Sequence, residues 1–124
     1  MMYFEMDCAC KGKNLDKLLQ PAILSILYKE NLHGFMLIQK LGEGPMFGGT
    51  EPDRAGVYRY LKKMEGSGLL TSDWDLEGDG GKPRRVYSIT EKGKGCLVNW
   101  LYALRQYVQS VNTLLDEIDE TIHS

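Results

Sequence analysis

The sequence predicts a mainly α fold with one small β hairpin and a long C-terminal helix. Three observations predict it. Apolar residues recur at helical spacing in three short segments before residue 69, two short strand-like segments flank a glycine-rich basic stretch, and an apolar heptad runs unbroken from Leu97 to Ile122. With 124 residues, 43% hydrophobic and 26% charged, the chain suffices for one ordinary globular domain plus an appendage.

The first helix is written by Leu15, Leu18, Leu19, Ala22, Ile23, Ile26 and Leu27, which share one face at spacings of three and four. Pro21 has no N–H and crowds the carbonyl of Lys17, so the regular helix is expected from about Gln20 to Lys29, after a turn or kink. Asn31 to Gly34 make a break. Phe35, Leu37, Ile38 and Leu41 supply a second, shorter face ending at Gly42, where a left-handed cap is expected. Residues 42–53 hold four glycines and two prolines and read as loop. Thr50 with Asp53 resembles a capping box opening a third helix, with Pro52 in its first turn. On that helix Val57, Leu61, Met64 and Gly68 share one side at about 100° per residue. Ala55, Gly56, Arg59, Lys62, Lys63 and Gly66 fall on the other, which makes a basic outer face.

Leu69 to Asp75 and Val86 to Ile89 read as strands, with Tyr87 and Ile89 on one face. The connection between them is too long for a tight turn and carries a basic, glycine-rich tip. Thr90 is a good N-cap with Glu91 in the first turn, opening a helix that meets no proline before Ser124. On it Leu97, Leu101, Leu104, Val108, Val111, Leu115, Ile118 and Ile122 alternate spacings of four and three, the seam of a coiled coil, and a partner helix is implied. Trp100, Tyr107 and Leu114 recur at seven beside it and widen the apolar surface. A helix of about 34 residues spans roughly 50 Å, more than a small body can cover. One strip is therefore expected on the first helix of its own or a partner chain, the other on a symmetry mate.

Composition removes several classes of function. The longest nearly apolar stretch, Ala22 to Tyr28, is far too short to span a bilayer, and the N-terminus, with Glu5 and Asp7, does not read as a secretory signal. A cytoplasmic protein without a membrane partner is expected. Cys8, Cys10 and Cys96 suit a reducing compartment better than a disulfide framework. Cys8-x-Cys10 has the spacing of a soft-metal or redox pair, but a structural zinc needs four ligands and only distant Cys96, His33 and His123 remain, so neither metal nor cofactor is expected. His33, before a glycine at a helix start, is read as a capping or packing residue. No nucleophile beside a base, phosphate-binding glycine loop or paired-carboxylate signature supports an enzyme.

The formal net charge of −2 conceals local basic blocks. Arg54, Arg59, Lys62 and Lys63 fall in a stretch of ten residues without an acid, and Lys82, Arg84 and Arg85 in one of four. Arg59, Lys62 and Lys63, with Tyr58 on the flank, are the candidates for DNA contact from the third helix. Lys82, Arg84 and Arg85 are the candidates for the phosphate backbone, with pairing of Arg85 to an acid such as Asp73 as the alternative. Helix, helix, helix, strand, wing, strand is the order of a winged helix-turn-helix. The expected division is residues 1–90 as the DNA-binding domain, with 1–14 an N-terminal arm, and 91–124 as a coiled-coil-like dimerisation helix.

The segments His33-Gly34-Phe35, Gly56 to Leu61 with Met64-Glu65 and Gly68-Leu69, Ser72 with Trp74, and Pro83 to Thr90 with Gly93 together resemble the PadR family of transcriptional regulators. The resemblance runs from about Leu15 to Leu101 and is most specific in the P-R-R-x-Y-x-x-T-x-x-G run. It implies a homodimeric, repressor-type reader of a double-stranded DNA operator, with the third helix in a major groove, the wing on the flanking backbone and the last helix at the dimer interface. The loop from Gly44 to Asp53 and the wing tip from Glu77 to Lys82 depart from the pattern by being enlarged. Drug-sensing relatives stack planar compounds on a tryptophan where this chain has Leu104, whereas Trp100 matches a tryptophan common in the family and is expected in the core. Trp100 and Tyr107 are the candidate residues for a small aromatic effector. A winged-helix dimer acting as a protein–protein interaction module is the alternative function. Its outer face would be expected to expose apolar residues rather than arginine, lysine, alanine and glycine.

Overall fold

The computed structural model describes residues 18–76 and 83–124. Along the described residues the elements are α1 (Leu19–Lys29), β1 (Leu32–His33), α2 (Gly34–Glu43), α3 (Arg54–Gly66), β2 (Leu70–Asp75), β3 (Arg84–Ile89) and α4 (Glu91–His123). The N-terminal arm, Leu15, Cys8, Cys10, Lys82 and the wing tip lie outside the described residues. Pro21 sits in the first turn of α1, where the missing N–H deprives the helix of no internal bond.

Three strands form the sheet, not two. Leu32 and His33, read from the sequence as part of a break, pair antiparallel with Tyr87 and Val86, and the strand order is β1-β3-β2. The hairpin register runs from Leu70↔Ile89 to Asp75↔Arg84, so β3 begins two residues before the expected Val86. Alternation across the ribbon puts Leu70, Ser72 and Trp74 with Ile89, Tyr87 and Arg85 on the face turned toward the helices. Asp73 and Asp75 share the outer face with Val86 and Arg84.

Two helix boundaries also differ from expectation. Gly42 is not a left-handed cap: α2 continues through it to Glu43, and positive φ is confined, among the described residues, to Gly48, Gly49 and Gly68. Gly42 is buried, and a Cβ there would lie 3.0 Å from Glu51 Cα, so close approach of the following loop accounts for the glycine. The N-cap of α3 is Asp53 rather than Thr50, its carboxylate accepting from the Gly56 N–H at 2.9 Å, and Pro52 falls just before the helix. A carboxylate at this end also meets the positive pole of the helix.

Ile23, Leu24 and Leu27 of α1, Leu37, Ile38 and Leu41 of α2, and Val57, Leu61 and Met64 of α3 meet Leu70 and Tyr87 of the sheet in one core. Cys96, Leu97 and Trp100 of α4 pack against it, so the first third of the long helix belongs to the globular body. Trp100 is a core-edge residue, as its family position implies, and its Nε1 donates to Gln20 Oε1 at 2.8 Å. Thr90 caps α4 as expected, accepting from the Gly93 N–H at 2.9 Å while its hydroxyl donates to the Gly68 carbonyl at 2.6 Å.

This packing makes a paired prediction on α4. A Cβ at Gly93 would collide with the Leu69 carbonyl and the Ile89 side chain, whereas at Gly95 it would meet nothing within 4 Å. Gly93→Ala is expected to destabilise the fold by about 1–3 kcal/mol. Gly95→Ala is expected to stabilise it by roughly 0.5–1 kcal/mol. Denaturant unfolding of both variants checks this; equal midpoints would contradict the seating of α4 against Leu69 and Ile89.

Candidate nucleic-acid interface

The roll of α3 decides which side chains face outward. Val57, Leu61 and Met64 are at most 2% exposed, so the opposite side of the helix must face solvent. Arg59, Lys62 and Lys63 stand on that side, exposed, and none of them pairs with an acid among the described residues. Ala55, also exposed, and Gly56 leave the start of the helix without bulk on that side. Tyr58 leans over Gly34 at the start of α2, where a Cβ would come within 2.9 Å of its hydroxyl, so it joins the two helices at their outer edge. Arg54 stacks on Phe35 at 4.8 Å and bonds Glu51 Oε1 at 3.2 Å. Arg54 is legible in the sequence only as charge in the basic block, since its partner Phe35 lies on a different helix.

On the wing, neighbouring arginines part company. Arg84 lies on the outer face and Arg85 on the helix-facing side. Arg85 does pair with an acid, but with Glu65 rather than Asp73, which lies on the other face of the ribbon. Its Nη1 donates to Ser72 Oγ at 2.7 Å, its guanidinium lies 3.9 Å from Glu65 Oε2, and it stacks on the Trp74 ring at 4.7 Å. Ser72 in turn donates to Glu65 Oε2 at 2.6 Å. Beside this cluster burial raises the Tyr87 phenol above its ordinary pKa, against the opposing pull of Arg85, so it stays protonated and neutral near pH 7. On the outer face His33 Nε2 lies 3.1 Å from Asp75 Oδ2 and fastens β1 to β2 across β3. Among the described residues no three metal-ligating side chains cluster.

The terminal helix divides in two. Leu97 and Trp100 are half-buried on the body, and Leu104 is half-buried beyond them. Leu101, Val108, Val111, Leu115, Ile118 and Ile122 are exposed, an apolar seam turned to solvent in the single chain. Between α1, α4 and the loop after α2 lies a groove of about 650 Å³ whose walls include Ala22, Ile26, Phe47, Trp100 and Leu104. The structure brings Trp100 into that groove and leaves Tyr107 outside it, 62% exposed.

Comparison with known proteins agrees with this architecture. The family model described as "Transcriptional regulator PadR-like family" matches residues 23–98. A PadR family transcriptional regulator from Eggerthella lenta superposes with a TM-score of 0.73 at 26% identity, covering 86% of this chain and 89% of its own. A PadR-like transcriptional regulator from Bacillus cereus gives 0.69 at 28%, covering 82% and 94%. A PadR family transcription regulator from Clostridium difficile gives 0.69 at 26%, covering 79% and 98%. No curated protein matches the chain. No helix among the described residues is long and apolar enough to cross a membrane. With the family model covering more than half of its length and the winged-helix arrangement preserved, the chain belongs to the PadR-like family of transcriptional regulators, which are DNA-binding proteins and not enzymes.

Proposed function

We infer that this regulator is a homodimeric repressor that reads an operator through α3 and is released by a small effector. The observation that carries the reading is the set of cations Arg59, Lys62 and Lys63, unpaired among the described residues, on the side of α3 opposite its buried stripe. Arg59 reads bases, since guanidinium matches the two major-groove acceptors of guanine, and Lys62, Lys63 and Tyr58 hold the flanking backbone. Arg84, with Lys82 from the sequence alone, serves phosphates from the wing. Residues 1–90 act as the reader and 91–124 as the dimerisation helix.

Support for the dimer comes from the exposed seam of α4, which none of the described residues of its own body covers beyond Leu104. Two readers joined there must match half-sites about 34 Å apart, one helical turn. An apolar or phenolic effector that entered the groove beside Trp100 would act only by favouring one spacing over another. Tyr107 stands outside that groove and belongs with the interface.

Four measurements test this function. Arg59→Ala should lose about 1–3 kcal/mol of discrimination between the DNA upstream of its own coding sequence and random DNA. In the same titrations Arg84→Ala should lower the slope of log affinity against log salt by about 0.9; parental behaviour of both variants would hand this face to a protein partner. Val108→Asp with Val111→Asp should give monomers by sedimentation, with operator binding weakened at least tenfold, because charges in a desolvated seam are costly. A dimer of parental strength would refute the role given to α4. In a Trp74→Phe background, Trp100 emission should be quenched by planar aromatic compounds that also weaken operator binding. No response across such a panel would remove the effector.

A further inference from the structure

We propose that Arg85 is a positioning residue, which through Ser72 and Glu65 sets the angle of the wing against α3 instead of contacting phosphate itself. The inference rests on the DNA-facing reading of α3 given above. Glu65 is the motive. It is the penultimate residue of a basic helix, near the negative pole where a carboxylate is disfavoured, and its charge opposes a phosphate partner. Neither solubility nor DNA attraction explains an acid at that point, but its bonds do.

Ser72 relays the connection. Its hydroxyl donates to Glu65 Oε2 at 2.6 Å, in the range of a charge-assisted bond, and accepts from Arg85 Nη1 at 2.7 Å. One chain of bonds thus joins α3 to both strands of the hairpin. The direct attraction between Arg85 and Glu65 is weak, since the side chains are 40% and 31% exposed and 3.9 Å apart. Geometry comes from the two short bonds and from Trp74, whose ring the guanidinium stacks on at 4.7 Å. The position matters because burial of the ribbon's inner face ends at Tyr87 and Leu70; Ser72, Trp74 and Arg85 are the inner-face residues beyond them. Among the described residues they are therefore the last ties between α3 and a hairpin that carries Arg84 toward the same duplex.

Glu65→Ala and Ser72→Ala should each weaken binding to the DNA upstream of the gene by roughly tenfold, with thermal midpoints measured alongside to show that both fold. The sign is diagnostic, since deleting an acid that merely faced phosphate would tighten binding. Arg85→Ala should cost a similar factor in the parent and little in the Glu65→Ala background. Trp74 emission, read without DNA in a Trp100→Phe background, should change in all three variants. Equal or tighter binding by Glu65→Ala, an Arg85→Ala loss undiminished in that background, or unaltered Trp74 emission would each overturn the clamp. Arg59→Ala on the same DNA separates the two ideas: its loss of binding keeps the α3 reading standing even where the clamp fails, and its parental binding would sink that reading instead.

Discussion

Val57, Leu61 and Met64 fix the roll of α3, because side chains spaced four and three apart can be buried together in only one orientation of the helix. Burying each stabilises the fold by about 1.5–3 kcal/mol. Turning the helix far enough to hide Arg59 would expose most of that stripe, at a cost comparable to the whole stability of a small domain, roughly 5–15 kcal/mol. The direction of the cations is thus enforced by the core. Tyr58 and Glu65, seven residues apart on the wing-side flank, then fall where α3 meets α2 and the sheet.

A second constraint is the period of the β-ribbon. Because successive residues point to opposite faces, Arg84 and Arg85 cannot do the same work. The outer face carries the His33–Asp75 pair and the inner face the Glu65–Ser72–Arg85 chain, so the far half of the hairpin is held from both sides. The two ion pairs, His33–Asp75 and Glu65–Arg85, are partly exposed and individually weak, and the short bonds of Ser72 add to them. Together they hold a segment in which no residue beyond the first pair, except Tyr87, reaches full burial.

The sequence made the helices and the basic face of α3 legible because their signals repeat: three buried positions on α3 and eight in the α4 heptad leave little freedom of phase. What escaped was non-repeating. A two-residue strand such as Leu32–His33 shows no alternation, and its existence depends on a partner more than fifty residues away. Gly42 carried the composition of a cap while serving close packing against Glu51, a contact between segments that local punctuation cannot express. Asp53 outcompeted Thr50 for the N-cap by three residues, within the usual uncertainty of a helix boundary. At the site, basic residues were visible as charge, but the partner of Arg85 was not. Asp73 is nearer in sequence, and only strand alternation together with the docking of α3 selects Glu65.

Gln20 lies where the two halves of the proposed mechanism meet. Its side-chain oxygen accepts from Trp100 Nε1 at 2.8 Å, and its amide nitrogen donates to the Tyr60 hydroxyl at 3.4 Å. Burial holds the Tyr60 phenol above its ordinary pKa, so near neutrality it remains a neutral partner for that amide. Trp100 belongs to α4 and Tyr60 to α3, next in sequence to Arg59, so one amide on α1 touches both of these helices. A close-packed interior has low compressibility, so helices joined at fixed points pass displacement to one another. Movement of α4 relative to α1 must therefore either stretch the bond at Trp100 or carry Gln20 with it, and in the second case the start of α1 shifts against Tyr60. In the proposed dimer, helix spacing and the seat of α3 within each chain are thereby coupled at Gln20, in addition to the bonds by which Lys92 Nζ and Thr90 Oγ1 hold the Ser67 and Gly68 carbonyls just beyond α3.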